Sequence, residues 1–168
     1  EALVLAENME DNARASRICI LALGAVVLYG AGPAMATPEA AKWINAADEW
    51  AEPNTSERAF TDSVQGYLKG TTGRFKEGGA LLKQSLDLAR RLGDPETFCQ
   101  VAGTYIYSPA SPSTRRAKLE LAEEILDKLQ GGVSFQNQVN NFTFLFNFFL
   151  VSGYREQSET IVGEIRNL

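Results

Sequence analysis

The segment from Gly73 to Asp94 most constrains what this chain can become. It opens on a glycine, runs as one amphipathic pattern, and closes on Gly93-Asp94. Small residues (Gly78, Ser85, Ala89) alternate at helical spacing with large ones (Phe75, Leu82, Leu86). That mixture suits a helix packed closely against neighbours on more than one side.

The same punctuation recurs along the chain. Its spacing predicts helices over 1–10, 13–29, 38–51, 56–70, 74–92, 95–107, 114–130, 135–151 and 154–167. Thr37-Pro38-Glu39 and Asp94-Pro95-Glu96 each place a capping side chain before a proline at the first helical position and an acid in the first turn. Ser113 stands where it can cap the next helix. Gly30, Gly93, Gly131-Gly132 and Gly153 supply the stops. The short connections make successive helices antiparallel neighbours. The segment 134–151 admits a rival, because Phe142, Phe144, Phe146 and Phe148 alternate as a half-buried strand would. Leu145, Phe149 and Val151 fill the other face, however, and the run is long for a strand, so a helix is expected, its phenylalanines mostly core.

Repetition is the second constraint. Ala40, Ile44, Ala47 and Trp50 match Gly78, Leu82, Ser85 and Leu88 at an offset of 38, and Gly153-Tyr154-Arg155-Glu156 echoes the Gly73 turn eighty residues on. Helix pairs therefore recur about every 40 residues. One pair cannot bury both of its apolar faces, whereas stacked pairs can.

The opening Glu1-Ala2-Leu3-Val4-Leu5-Ala6-Glu7 and the run Leu86-Asp87-Leu88-Ala89-Arg90-Arg91-Leu92-Gly93-Asp94 carry a resemblance to the tetratricopeptide-repeat superfamily, in its degenerate, slightly long-period form. That form resembles the helical arrays of large bacterial LuxR-type regulators and of cyclase-linked ATPases. The resemblance implies an all-α fold of antiparallel hairpins, about 13–51, 56–93, 95–130 and 135–168, stacked as a right-handed TPR-like superhelix, an α-solenoid. The match is close only over 56–93. The bulky aromatic residue early in the first helix of each repeat is missing from most units, and Gly78 occupies the alanine position of the second helix. In the third hairpin that position falls on Ala117 or Ala122.

In the family the first helix of each repeat lines a concave groove. With the Gly66–Gly73 spacing as register, the resemblance points Ser63 and Tyr67 into that groove, then Gln100, Thr104 and Tyr107 in the third hairpin and Asn140 and Asn147 in the fourth. These uncharged groups suit a peptide backbone or a polar ligand. The alternative is that they are ordinary solvent-facing helix residues.

Composition narrows the chemistry. The chain of 168 residues has no histidine, which removes histidine-based acid–base work, Ser-His-Asp and Cys-His nucleophiles and histidine metal sites. Cys19 and Cys99 fall within helices and read as buried thiols, and two cysteines make no structural zinc site unaided. Sixteen basic residues are scattered in a chain of net charge −5, so no basic stripe marks nucleic acid. Gly70-Thr71-Thr72-Gly73 lacks the Lys-Ser/Thr of a phosphate loop, and Met35 stands where a dinucleotide fingerprint after Gly30 and Gly32 needs its third glycine. Carboxylates at Glu123, Glu124 and Asp127, and at Glu7, Glu10 and Asp11, share helix faces as solvated surface. Asn54-Thr55-Ser56 and Asn141-Phe142-Thr143 are formal glycosylation sequons, relevant only in a secreted chain.

Ile18 to Ala36 carries no charge and imitates a signal or membrane segment, with Arg14 and Arg17 before it, Ala34-Met35-Ala36 resembling a cleavage site, and Met9 a conceivable start. Glu10 and Asp11 spoil a positive leader, and Gly30, Gly32 and Pro33 are expected to end a helix that began at Ala13 near Tyr29. Both ends of the sequence read as cut within a repeat. The expectation is therefore a cytoplasmic, non-catalytic scaffold within a larger ATPase, transcriptional-regulator or cyclase-linked signalling protein. It would need no cofactor or metal, and its partner is a protein or peptide or an adjoining domain. The competing expectations are an exported or membrane-tethered repeat protein starting near Met9, and an all-α enzyme using carboxylates or tyrosine.

Overall fold

A computed structural model describes residues 1–34, 37–109, 114–129 and 131–166; the side chains of residues 24 and 26–34 are outside that description. Among the described residues there are nine helices and no strand. They are α1 (Ala2–Asn8), α2 (Asn12–Ala34), α3 (Pro38–Trp50), α4 (Ser56–Thr71), α5 (Phe75–Leu92), α6 (Pro95–Tyr107), α7 (Arg115–Lys128), α8 (Phe135–Ser152) and α9 (Arg155–Arg166). The all-helical expectation holds, and the phenylalanine-rich segment is helix α8.

The caps are local. Thr37 Oγ1 accepts from Ala40 N at 3.3 Å, Thr55 Oγ1 from Arg58 N at 3.1 Å, and an Asp94 carboxylate oxygen from Thr97 N at 2.8 Å. Proline opens α3 and α6, where its missing N–H costs no hydrogen bond. Gly153 closes α8 in the left-handed conformation, φ 81°, and donates its N–H back to Leu150 and Phe149 carbonyls. One boundary departs from expectation. Helix α2 continues through Gly30, Gly32 and Pro33 to Ala34. A proline in the final turns keeps a helical φ and removes a single intrahelical bond, so it need not stop the helix there. The Ser113 cap lies outside the described residues, as do Met35 and Ala36 of the cleavage-like triplet.

The chain divides into two compact units, Glu1–Leu88 and Ala89–Leu168. In the first, α2 packs against α1, α3 and α4. Its Ala15, Cys19 and Leu23 join Ala40, Ile44 and Ala47 of α3 and Ala59 and Val64 of α4 as buried core. The starts of α2 and α4 are tied together. Arg17 Nη2 donates to Glu57 Oε1 at 3.1 Å, and Asn12 Nδ2 to Glu52 Oε1, in the connection before α4, at 3.1 Å, each link joining residues 40 apart.

Helices α4 and α5 meet backbone to backbone. A Cβ added to Gly78 would lie 2.6 Å from the Gly66 carbonyl oxygen and 2.7 Å from Gly70 N. One added to Gly66 would meet Leu82 N at 2.9 Å. Gly78 therefore stands in place of an alanine because no side chain fits between the two main chains.

In the second unit α6 packs against α7 and α8, and α8 against α9. Phe98, Val101, Ala102 and Ile106 face a core completed by Leu121, Ala122, Ile125, Phe142, Leu145, Phe149 and Ile161. Ala122 is fully buried and Ala117 exposed, which fixes the register of α7. The starts of α6 and α8 are tied as those of α2 and α4 are. Ser134, the residue capping α8, donates its N–H and hydroxyl to the Glu96 carboxylate at 2.7 and 2.6 Å, and Asn137 Nδ2 donates to the Glu96 carbonyl at 3.2 Å.

Each unit also closes a helix end with a cation from the next helix. Arg58, in the first turn of α4, donates through Nη2 to the Asp48 and Ala51 carbonyls at 2.7 and 2.6 Å, and through Nη1 to Asp48 Oδ1 at 2.6 Å and Asp62 Oδ1 at 3.1 Å. Burial lifts the Asp62 carboxyl above its ordinary value although Arg58 pulls it down. Lys118, in the first turn of α7 and 1 % exposed, donates to the Ile106 carbonyl at 3.0 Å, to the Ser108 carbonyl, and to Ser108 Oγ at 3.1 Å.

Two tests follow from this packing. Gly78→Ala is expected to cost about 2–3 kcal/mol through forced separation of α4 and α5, whereas Gly79→Ala, with open space at its Cβ, should stabilise by about 0.5–1 kcal/mol. Denaturant unfolding of the two variants beside the parent checks the opposite signs. For Lys118, burial pushes the ammonium down to about 8 from 10.5, so the folded chain gives up this proton before the unfolded chain does. Between those two values the unfolded state binds more protons, and stability rises with pH. Unfolding free energy measured across that window should carry this slope in the parent and lose it in Lys118→Met.

Candidate functional site

Gln100, Thr104 and Tyr107 follow one another at i, i+4 and i+7 and so share one face of α6. Gln100 and Thr104 are half-buried, while Tyr107 is 49 % exposed. Thr104 Oγ1 donates to the Gln100 carbonyl at 3.1 Å. Asn140 and Asn147 lie two turns apart and exposed on α8. Asn147 Nδ2 donates to the Thr143 carbonyl at 2.9 Å, and Asn140 Oδ1 accepts from Gln136 Nε2 at 3.1 Å.

The two helices are brought close by a glycine. A Cβ on Gly103 would sit 2.8 Å from Asn141 Oδ1 and 3.1 Å from the Phe144 ring. Asn141 is itself buried and donates Nδ2 to the Asn137 carbonyl at 2.9 Å. Beside this contact Tyr107 stacks on Phe144 with ring centroids 4.9 Å apart and planes tilted by 32°. Sequence reasoning missed Gly103, Asn141 and Phe144 as site-forming residues. Their signal was a glycine inside an apolar helix and an asparagine at core spacing.

Ser63 requires a correction. Its side chain is fully buried, and its hydroxyl donates to the Phe60 carbonyl at 2.7 Å, so it faces no groove. The reason is helical phase: Ser63, Gly66 and Gly70 fall on one stripe of α4, and that stripe is the one turned to α5. The glycine spacing marks a packing seam there, not the edge of a concave surface. Tyr67, one turn beyond Ser63, is half-buried.

Electrically the α6–α8 face is neutral. No Asp, Glu, Lys or Arg occurs between Lys128 and Arg155, and Glu96 is the one charged residue of α6. Its carboxylate is held by Ser134. Carboxamides, a hydroxyl and an aromatic pair offer hydrogen bonds and a flat apolar contact. A second concavity of about 250 Å³ lies between the ends of α5 and α6 and helix α7. Its Arg90 grips Glu124 with Nη2–Oε2 at 2.6 Å, and its Lys128 Nζ rests 5.3 Å from the centre of the Phe98 ring.

Both cysteines are buried free thiols. Burial raises both, Cys99 to about 12 with Glu96 adding to the effect. Among the described residues no group of acids and cysteines could hold a metal ion, and no helix is long and apolar enough to cross a membrane. No protein-family model, curated protein or solved structure matches the chain.

A maleimide or disulfide reagent at pH 8 is expected to modify Cys19 and Cys99 only as fast as the native chain opens, and at once in denaturant. Rapid labelling under native conditions would show that either thiol is accessible.

Proposed function

We propose that this chain is a non-catalytic binding scaffold, a tetratricopeptide-like array of about four helical hairpins, whose α6–α8 face takes a protein segment. The observation that carries the reading is the start-to-start tie between alternate helices. Residues 40 apart join α2 to α4, and residues 38 and 41 apart join α6 to α8. A period of that size, with α2 packed on both α3 and α4 and α6 on both α7 and α8, is what stacking of equivalent hairpins requires. Such an array presents the first helices of successive hairpins side by side, and α6 and α8 occupy those positions. Their neutral amides and stacked rings suit an extended peptide whose main chain supplies donors and acceptors.

In this reading the array serves a larger signalling protein, an ATPase, transcriptional regulator or cyclase-linked chain, as the resemblance of its repeats implies. An exported chain cleaved near Ala36 is disfavoured by the core of the first unit. Helix α2 supplies Ala15, Ser16, Cys19 and Leu23 to it, and a removed leader would take them away.

Selection from a displayed library of uncharged peptides tests the proposal. Peptides that bind the parent should lose about tenfold or more in affinity to Tyr107→Ala combined with Asn147→Ala, with helical circular dichroism unchanged. Glu159→Ala on α9 should leave binding intact. Failure to enrich any binder, or binders indifferent to the α6–α8 substitutions, would remove this face from the function.

A further inference from the structure

The concavity of about 250 Å³ beside the start of α6 lies wholly within the second unit. Four charged side chains line it, two of each sign, and three of them are engaged. Arg90 holds both oxygens of the Glu124 carboxylate, Nη2–Oε2 at 2.6 Å and Nε–Oε1 at 3.3 Å. An Asp94 oxygen accepts from Thr97 Oγ1 at 2.6 Å and from Thr97 N at 2.8 Å, and these bonds hold its carboxyl below the ordinary value. Lys128 is the fourth. It follows Glu124 by four residues on α7, the spacing at which glutamate and lysine ordinarily pair. Arg90 has taken that partner. The half-buried Lys128 places its Nζ 5.3 Å from the centre of the Phe98 ring instead, and among the described residues no carboxylate is within ion-pair distance of it. We propose that this concavity is a binding site for a small monocarboxylate, which sets its carboxylate on Lys128 Nζ.

The charges set the class of ligand. A carboxylate gains a charge-assisted hydrogen bond from an ammonium that is partly withdrawn from water and has no anion of its own. A second negative charge on the ligand would face Asp94 and Glu124, which opposes phosphate and dicarboxylates. The uncharged part of the ligand meets the apolar wall of Ala89, Pro95 and Phe98. The volume falls short of the roughly 300–1,000 Å³ typical of sites for drug-sized molecules, so the ligand is small. The site stands at the opposite end of α6 from Tyr107 and shares no residue with the α6–α8 face. It therefore adds a second binding function and does not depend on the first.

Nuclear magnetic resonance of the free chain tests the site by titration with acetate, butyrate and benzoate, each beside its uncharged amide, and with inorganic phosphate at matched ionic strength. At least one carboxylate should move the Gly93, Asp94 and Phe98 amides and the Lys128 side-chain signals along a saturable curve, and its amide should not. Lys128→Met should weaken that binding by about tenfold or more, with helical circular dichroism unchanged. Should that variant not fold, the comparison of carboxylate with amide in the parent decides. The double variant Tyr107→Ala with Asn147→Ala should bind the carboxylate as the parent does, which keeps this result apart from peptide binding. Three results would each overturn the proposal: no saturable shift with any of the carboxylates, equal shifts with the amide or in Lys128→Met, or phosphate bound as tightly as the carboxylates.

Discussion

A chain of short helices ends often, and each end leaves carbonyl groups that must be satisfied before they can be covered. At the exits of α3 and α6 this protein meets the requirement with a cation borrowed from the next helix. Arg58 and Lys118 both sit in a first turn, where a positive charge is unfavourable to their own helix dipole. They are tolerated there because the C-terminal carbonyls of the preceding helix lie opposite. The two solutions differ in chemistry. Arg58 brings a planar fork and two carboxylates, whereas Lys118 is enclosed by neutral oxygens alone. Arg58 grips as a planar fork, and Lys118 as a single point charge.

With the ends secured, the helices can approach until only glycine fits. Gly66, Gly70 and Gly78 bring two main chains into contact in the first unit, and Gly103 brings α8 onto α6 in the second. Close approach there is what places Phe144 under Tyr107. The face that results is made of carboxamides and rings without charge. Such a surface offers hydrogen bonds and a flat apolar contact without a charge.

Much of the secondary structure was legible along the chain. Helix starts at Thr37, Thr55, Asp94 and Ser134 depend on a side chain and an amide three residues on, and such local bonds can be read from spacing alone. Spacings near 40 were visible too, and within each unit hydrogen bonds join residues 38 to 41 apart. The candidate face was legible in part. Gln100, Thr104, Tyr107, Asn140 and Asn147 fall on neighbouring helices, but Ser63 was assigned the wrong side. A glycine pair marks a seam, and nothing local says whether the seam faces a partner or the protein's own next helix.

The sequence by itself determined that this protein is helical and where most of its helices begin, since these follow from interactions within a few residues. Only the tertiary structure decided which of Ala117 and Ala122 is core, why Gly78 cannot be alanine, and that a lysine in an otherwise polar first turn is buried. Each of those depends on what lies across the gap from it, and the distance along the chain between the partners, such as Gly66 and Gly78 or Ile106 and Lys118, carries no signature of the contact. The run of α2 past Pro33 belongs with them, because a helix end is settled by packing and solvation once the local bonds are nearly balanced.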